Sequence, residues 1–350
     1  MVYGYFKNIL SLEAWERKKM RIAIVIPYFG KFPNYFPFFL KSCSYNPEFD
    51  WLIFTDNEIS ENLYFIPENV HVRQITFEKL KLIIQNKFDF DIELKAPYKL
   101  CDYKPAYGYL FQEYLEGYEY WGYCDVDMIF GNLKRFLPDN VIGEYDKIGH
   151  LGHLSLYKNQ TEINTLFMRT LYNRADYKEV FSTDRIWVFD EWGEVNINAI
   201  FQAYDKKVFY WNEFCDIYPY DDNFCQVVST VDQKSEPSCK SKIVRRPLLI
   251  LWDVGRVYML ALKKGEIIQQ ECAYAHFQKR IINCNFDILD KKILCTPNQF
   301  LKFSEEASER YLRKKRFINK KRIQHTYGAV RYFLIEKTGP IRHMFRRGKK

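Results

Sequence analysis

No segment of the chain is apolar over the roughly 20 residues that crossing a bilayer takes. The run Ile22–Phe29 is apolar but short, and the charged Trp15-Glu16-Arg17-Lys18-Lys19 precedes it with no small-residue cleavage site. Neither a membrane span nor a secretory leader is therefore expected, and residues 1–20 are expected to form a peripheral N-terminal extension. Cysteine occurs nine times, an odd number, and never as C-x-x-C. No zinc spacing results, and free thiols in a reducing cytoplasm are the expectation. Internal repeats and low-complexity tracts are missing. So is a Gly-rich phosphate loop after the first apolar run, which counts against a nucleotidyltransferase.

What is present in quantity is aromatic. Phe, Tyr and Trp make up 18% of the 350 residues, material for an aromatic core and equally for stacking platforms. Charge is unevenly spread. Residues 310–350 hold fifteen Lys or Arg against the single acid Glu336, a net +14. Subtracted from the whole-chain +8, that leaves −6 for residues 1–309. The chain reads as a mildly acidic globule with a basic tail.

Along the chain, apolar β-branched runs alternate with helical patterns, as in an α/β domain. Arg21–Pro27 reads as a strand buried on both faces of a mainly parallel central sheet. Tyr35–Tyr45 reads as a helix, Asp50–Thr55 and Val70–Ile75 as strands, Lys104–Leu115 as a helix and Tyr118–Cys124 as a strand. Further on, Ile148–Tyr157 and Val208–Tyr210 are strand-like, Gln160–Tyr172 and Val195–Ala203 helical, and Ser229–Lys242 a polar loop. Leu248–Trp252 and Glu271–Phe277 read as late strands. With no clean linker before about residue 300, a single catalytic-size domain over 21–300 is expected. A basic helical tail over 301–350 follows it.

The chemistry concentrates where an apolar strand runs into Asp125-Val126-Asp127. In extended backbone, residues i and i+2 point the same way, so the two carboxylates converge on one cation. Hard oxygen donors of this kind suit Mg²⁺ or Mn²⁺. The spacing alone is weak, since Asp89-Phe90-Asp91 shares it. That pair, however, lies in a polar, charged stretch, whereas Asp125 and Asp127 are flanked by apolar runs. Carboxylates in such surroundings are costly without a cation or donors.

A strand that ends in D-x-D before another apolar stretch resembles the metal site of glycosyltransferases with the GT-A fold. Several further segments resemble a bacterial glycosyltransferase-like family of capsule and exopolysaccharide gene clusters. They are Ile26-Pro27-Tyr28-Phe29-Gly30, Phe54-Thr55-Asp56, Asp102-Tyr103-Lys104-Pro105-Ala106-Tyr107-Gly108, Trp121–Asp127, Gly152-His153-Leu154, Phe189-Asp190-Glu191-Trp192 and His276–Arg280. The resemblance implies a GT-A-like, Rossmann-type domain, a nucleotide-sugar donor (a UDP-sugar before others) and a divalent metal.

Within that frame, Pro27, Tyr28 and Phe29 at the end of the first strand would flank base and ribose. Asp56 would accept from a base N–H or a ribose hydroxyl. Asp102 and Lys104 would meet phosphates or sugar. His276 would complete the metal shell with Asp125 and Asp127, and Lys279 and Arg280 would neutralise the leaving diphosphate. Asp190 or Glu191 would deprotonate the acceptor hydroxyl of an inverting enzyme, or hydrogen-bond the acceptor of a retaining one. Trp192 would offer a sugar platform, and His153 a hydrogen bond on the acceptor side.

The expected function is hexosyl transfer to a growing surface glycan carried on lipid, since the basic tail (310–350) suits an anionic membrane surface. Such a protein would sit at the inner face of the membrane, in the cytoplasm. A non-catalytic glycan- or nucleic-acid-binding protein with aromatic platforms and a basic arm is the alternative, although nucleic acid is not the expected partner.

Overall fold

The structure, a computed structural model, describes residues 20–60, 64–217, 221, 223–230, 238–242, 247–278 and 280–314. Most of the basic tail and Lys279 lie outside the described residues, as does the N-terminal extension apart from Met20. The strands, in chain order, are β1 Ile22–Pro27, β2 Phe49–Thr55, β3 Val70–Gln74, β4 Tyr120–Cys124, β5 Met128–Phe130, β6 Lys147–Leu151 and β7 Leu154–Lys158. They continue with β8 Val208–Phe209, β9 Cys215–Asp216, β10 Cys225–Thr230, β11 Ser238–Lys242, β12 Leu248–Asp253 and β13 Arg256–Lys263. The last are β14 Glu266–Cys272, β15 Tyr274–His276, β16 Asn283–Asn285, β17 Lys292–Cys295 and β18 Gln299–Lys302.

The protein is mixed α/β. A seven-stranded sheet has the order β3-β2-β1-β4-β7-β6-β8. Its first four strands run parallel, and β7 runs antiparallel to both β4 and β6. β1 explains why this sheet lies at the centre. Ala23 and Val25 pack into one core with Trp121 and Tyr123, while Ile22, Ile24 and Ile26 pack into the opposite one with Phe36 and Phe39. Apolar side chains on both faces are what a parallel strand covered on both sides requires.

Two further sheets, in the orders β11-β10-β9-β15-β5 and β14-β13-β12-β17-β18-β16, are largely antiparallel. The mainly parallel expectation therefore holds for the first sheet only. The hairpin of β13 and β14 went unforeseen, and β11 lies where a loop was expected. The expected strand Glu271–Phe277 is instead the end of β14 and all of β15, parted at Ala273. The expected helices Lys104–Leu115 and Gln160–Tyr172 are each broken into single turns, among them Tyr107–Leu110 and Thr161–Asn164. Helix Phe36–Ser44 matches its expectation, and helix Phe77–Gln85, begun by the Thr76 cap, was missed.

Helix Glu305–Leu312 is part of the folded body. Leu312 is buried against Leu249, Leu251, Leu260 and Leu294. The boundary expected at 300 falls inside β18. Among the described residues, no helix is long and apolar enough to cross a membrane.

Candidate metal and acid–base site

The D-x-D segment is the joint between two sheets. Asp125 follows β4 of the parallel sheet, and Asp127 precedes β5 of the next. The Asp125 amide donates to the His153 carbonyl (2.9 Å), which pins the turn to the β6–β7 hairpin. β15 pairs with β5 so that His276 lies opposite Met128, and the Phe277 amide donates to the Asp127 carbonyl at 2.9 Å. Sheet register thus brings together residues far apart in sequence. One ligand atom each from Asp125, Asp127 and His276 lies within 4.8 Å of the others.

Two carboxylates and an imidazole, mostly buried, form a donor set that suits Mn²⁺ or Mg²⁺. His276 Nε2 is 3.4 Å from Asp127 Oδ1 and Nδ1 is 3.3 Å from Asp216 Oδ1. Burial disfavours charge on the ring, but the carboxylates of Asp216 and Asp127 outweigh it and hold His276 well above the usual imidazole range. Carboxylates face the ring at both nitrogen edges, and with Asp125 close by they make a place that positive charge favours, so the residues present fit a cation. His153 stacks on His276 (centroids 4.2 Å apart) and its Nε2 is 3.0 Å from the Tyr274 hydroxyl. Burial, then the neighbouring His276, pushes it well below the usual range and keeps it neutral. His153, expected from sequence on the acceptor side, is thus buried and packed against His276 and Tyr274.

Lys104 links this group to a second one. Its Nζ donates to Asp125 Oδ1 (2.8 Å) and to the Gly152 carbonyl (2.6 Å), and lies 3.5 Å from Asp190 Oδ2. Burial works against the ammonium, but Asp125 and Asp190 prevail and hold it charged. Asp190 is raised to about 6 by burial, against the pull of Lys104. Glu191 is raised to about 7 by burial and by Asp190. Gly152 makes the room they occupy: a Cβ there would lie 2.4 Å from Asp190 Oδ2 and 3.3 Å from Glu191 Oε2.

The 187–193 loop is held tightly. Val188 has φ 54°, rare for a β-branched residue. The amides of Glu191 and Gly193 both donate to its carbonyl, at 3.2 and 3.0 Å. Asp102 is central to this arrangement and corrects an expectation. It is fully buried, and its carboxylate accepts from Lys99 Nζ (2.9 Å) and from the amides of Trp187 (3.0 Å) and Phe189 (3.1 Å). It fixes the loop that carries Asp190, and none of it is exposed to solvent.

Tyr28 lies on the metal side. Its hydroxyl donates to the Lys31 carbonyl, and its titration is pushed up by burial and by the charges of Asp127 and Asp125. Pro27 is half-buried at the end of β1, and Asp56 is exposed just beyond β2. Phe29 is buried in the core against Phe77, so it has no free face for a base. Arg280 is buried as well, and its guanidinium donates to Asn298 Oδ1 (3.2 Å) and the Asp221 carbonyl (2.6 Å). It holds loops together and is not the exposed cation expected beside a diphosphate. Trp192 is exposed at the rim beside Glu191.

Residues 24–304 match a family model described as a family of unknown function, DUF6625. The chain belongs to that family. No curated protein matches the sequence significantly. Among solved structures, this DUF6625 member is similar to the galactosyltransferase LgtC in complex with donor and acceptor sugar analogues. The TM-score is 0.32 at 13% identity, over 57% of this chain and 77% of that one. An active-site mutant of LgtC scores 0.31 at 13% identity, over 57% and 76%. Apo-form glycosyltransferase GlyE of Streptococcus pneumoniae TIGR4 scores 0.27 at 12% identity, over 55% and 46%. Scores this low leave the chemistry of the site to stand on its own residues.

Asp216 and Gly152 are the members of the site whose roles the sequence did not disclose. Gly152 stands in a quoted motif, yet only its neighbours reveal why it lacks a side chain. Asp216 interrupts the apolar Phe214–Ile217, and a buried acid in such a run was the available signal.

Proposed function

We propose that this protein is a metal-dependent glycosyltransferase, moving a sugar from a nucleotide sugar, a UDP-sugar before others, to a hydroxyl of a growing surface glycan. The observation that carries the reading is the meeting of Asp125, Asp127 and His276 within 4.8 Å, with Lys104 joining Asp125 to the buried Asp190. Asp125, Asp127 and His276 would hold Mn²⁺ or Mg²⁺, which when bound supplies Lewis-acid stabilisation of charge on a leaving diphosphate. Lys104 keeps a fixed positive charge between the two carboxylate groups.

Asp190 and Glu191, raised to about 6 and about 7, titrate near neutral pH, where a general base for an acceptor hydroxyl is most effective. In a retaining course the same pair would hydrogen-bond the acceptor. Trp192 would offer its face to a pyranose ring. The acceptor is a glycan, carried on lipid, and residues 310–350 are the segment that would meet an anionic inner leaflet. Screening a panel of nucleotide sugars for nucleoside diphosphate release with and without Mn²⁺ tests the reading. Release of one diphosphate that requires Mn²⁺ supports it, and no release from any donor counts against it.

A further inference from the structure

Asp216 takes no part in the transfer chemistry above, yet among the described residues it is one of the most buried charged ones, 3% exposed. It lies directly opposite His276 in the parallel ladder of β9 and β15, so the two side chains share a face. Its oxygens are specifically placed. Oδ1 accepts from its neighbour's amide, Ile217 N (2.7 Å), and lies 3.3 Å from His276 Nδ1. Oδ2 accepts from Gln278 Nε2 at 2.9 Å. Gln278 has φ 45°, in the left-handed region unfavourable for a side-chain-bearing residue. The far edge of the His276 ring, Nε2, faces Asp127 at 3.4 Å.

An imidazole can give a lone pair to a cation from only one nitrogen, and its other nitrogen must then carry the proton. Which nitrogen donates is set by what the opposite one meets. We propose that Asp216 is the positioning residue of the metal centre: it keeps the His276 proton on Nδ1 and turns the Nε2 lone pair toward Asp125 and Asp127. The inference rests on the metal reading above.

Two other roles fit the geometry less well. Asp216 is not a further ligand, because it lies on the Nδ1 side of the ring, outside the cluster formed by Asp125, Asp127 and His276. Nor does a purely structural role account for a carboxylate here. The surroundings include Cys215, Ile217 and Phe277, all buried, where an apolar residue would avoid the cost of burying charge.

Mn²⁺ binding by the full chain without nucleotide, followed by the EPR signal of free Mn²⁺, tests the proposal. Wild type, Asp216→Asn and Asp216→Ala are compared, with the thermal midpoint of each. Loss of a carboxylate behind a metal-bound histidine weakens affinity about 10–100-fold. Asp216→Asn, which keeps an acceptor, is expected to lose less than Asp216→Ala, with midpoints near wild type. Variants that bind Mn²⁺ as tightly as wild type overturn the role of Asp216 while leaving the metal site standing. A wild type that takes up no Mn²⁺ overturns both. Should the variants fail to fold, ¹⁵N NMR of histidine in wild type with Mg²⁺ decides. A proton on His276 Nδ1 supports the proposal, and a proton on Nε2 overturns it.

Discussion

The ammonium of Lys104 lies 3.5 Å from Asp190 Oδ2 while it donates to Asp125, so one cationic side chain ties the D-x-D segment to the 187–193 loop. Lys104→Met removes that link. Breaking a fully buried pair costs about 3–5 kcal/mol. Asp125 is 35% exposed, so water reduces its share, and a loss of about 2 kcal/mol is expected. Mn²⁺ would bring positive charge to Asp125 and should recover part of this. Thermal unfolding with EDTA and with Mn²⁺ checks it: the deficit of the variant should be smaller with the metal.

Gly152→Ala should impair activity more than folding. The added Cβ would meet Asp190 Oδ2 at 2.4 Å, a contact that side chains do not tolerate. The carboxylate must move, and misplacement of a reacting group by about 1 Å costs on the order of 10²-fold in rate. A fall of that size in kcat/KM, with Mn²⁺ affinity retained, is the expected outcome. Unchanged kinetics would remove Asp190 from the reaction.

The pH dependence of stability should run opposite to the usual carboxylate case. Asp190 and Glu191 have folded-state values raised to about 6 and about 7, above the ordinary carboxyl range. The folded chain therefore keeps protons that the unfolded chain releases. The resulting stability is full below the unfolded values and is lost as pH rises through about 6 to 7. In metal-free buffer, Glu191→Gln should gain on wild type in thermal midpoint between pH 5 and pH 8. A constant difference across that range would contradict the raised value.

Much of the parallel sheet is legible in the sequence because its strands are buried on both faces. β1 and β4 read as unbroken apolar runs, β2 as one interrupted only by Asp50, and none of them needs knowledge of its neighbours. The hairpin of β13 and β14 is different. β14 is exposed over most of its length, so its sequence, EIIQQEC, lacks a clear apolar period. Its turn is Lys264-Gly265, with φ of 51° and 90°, and the glycine there is the local signal the sequence offers. At the site, Asp125, Asp127 and His276 could be named because a motif carries them. Asp102 could not be read correctly, because its partners Trp187 and Phe189 lie far along the chain. Phe29 and Arg280 sit in motif-like segments, but only packing shows that Phe29 faces the core and that Arg280 is engaged by Asn298 and the Asp221 carbonyl.

The proposal that the basic tail meets a membrane is best tested with a chain ending at Lys314. An end near 305 would remove helix Glu305–Leu312, whose Leu312 is buried against the third sheet. Each Lys or Arg near an anionic leaflet contributes roughly 1 kcal/mol within a screening length of about 8 Å. The full chain should co-sediment with phosphatidylserine vesicles at low salt and leave them at high salt, whereas the shortened chain should stay in solution and keep Mn²⁺ binding. Equal sedimentation of both would rule the tail out as the anchor.

The central claim is that Asp125, Asp127 and His276 hold a divalent cation for sugar transfer. The most direct measurement is a Mn²⁺ titration of UDP release from UDP-sugars, run in parallel on wild type and Asp127→Asn. Wild-type release should rise from near zero in EDTA to saturation, and the variant should stay near the EDTA baseline at every Mn²⁺ concentration. Release by wild type that is the same in EDTA and in Mn²⁺, or a variant that saturates as wild type does, would contradict it.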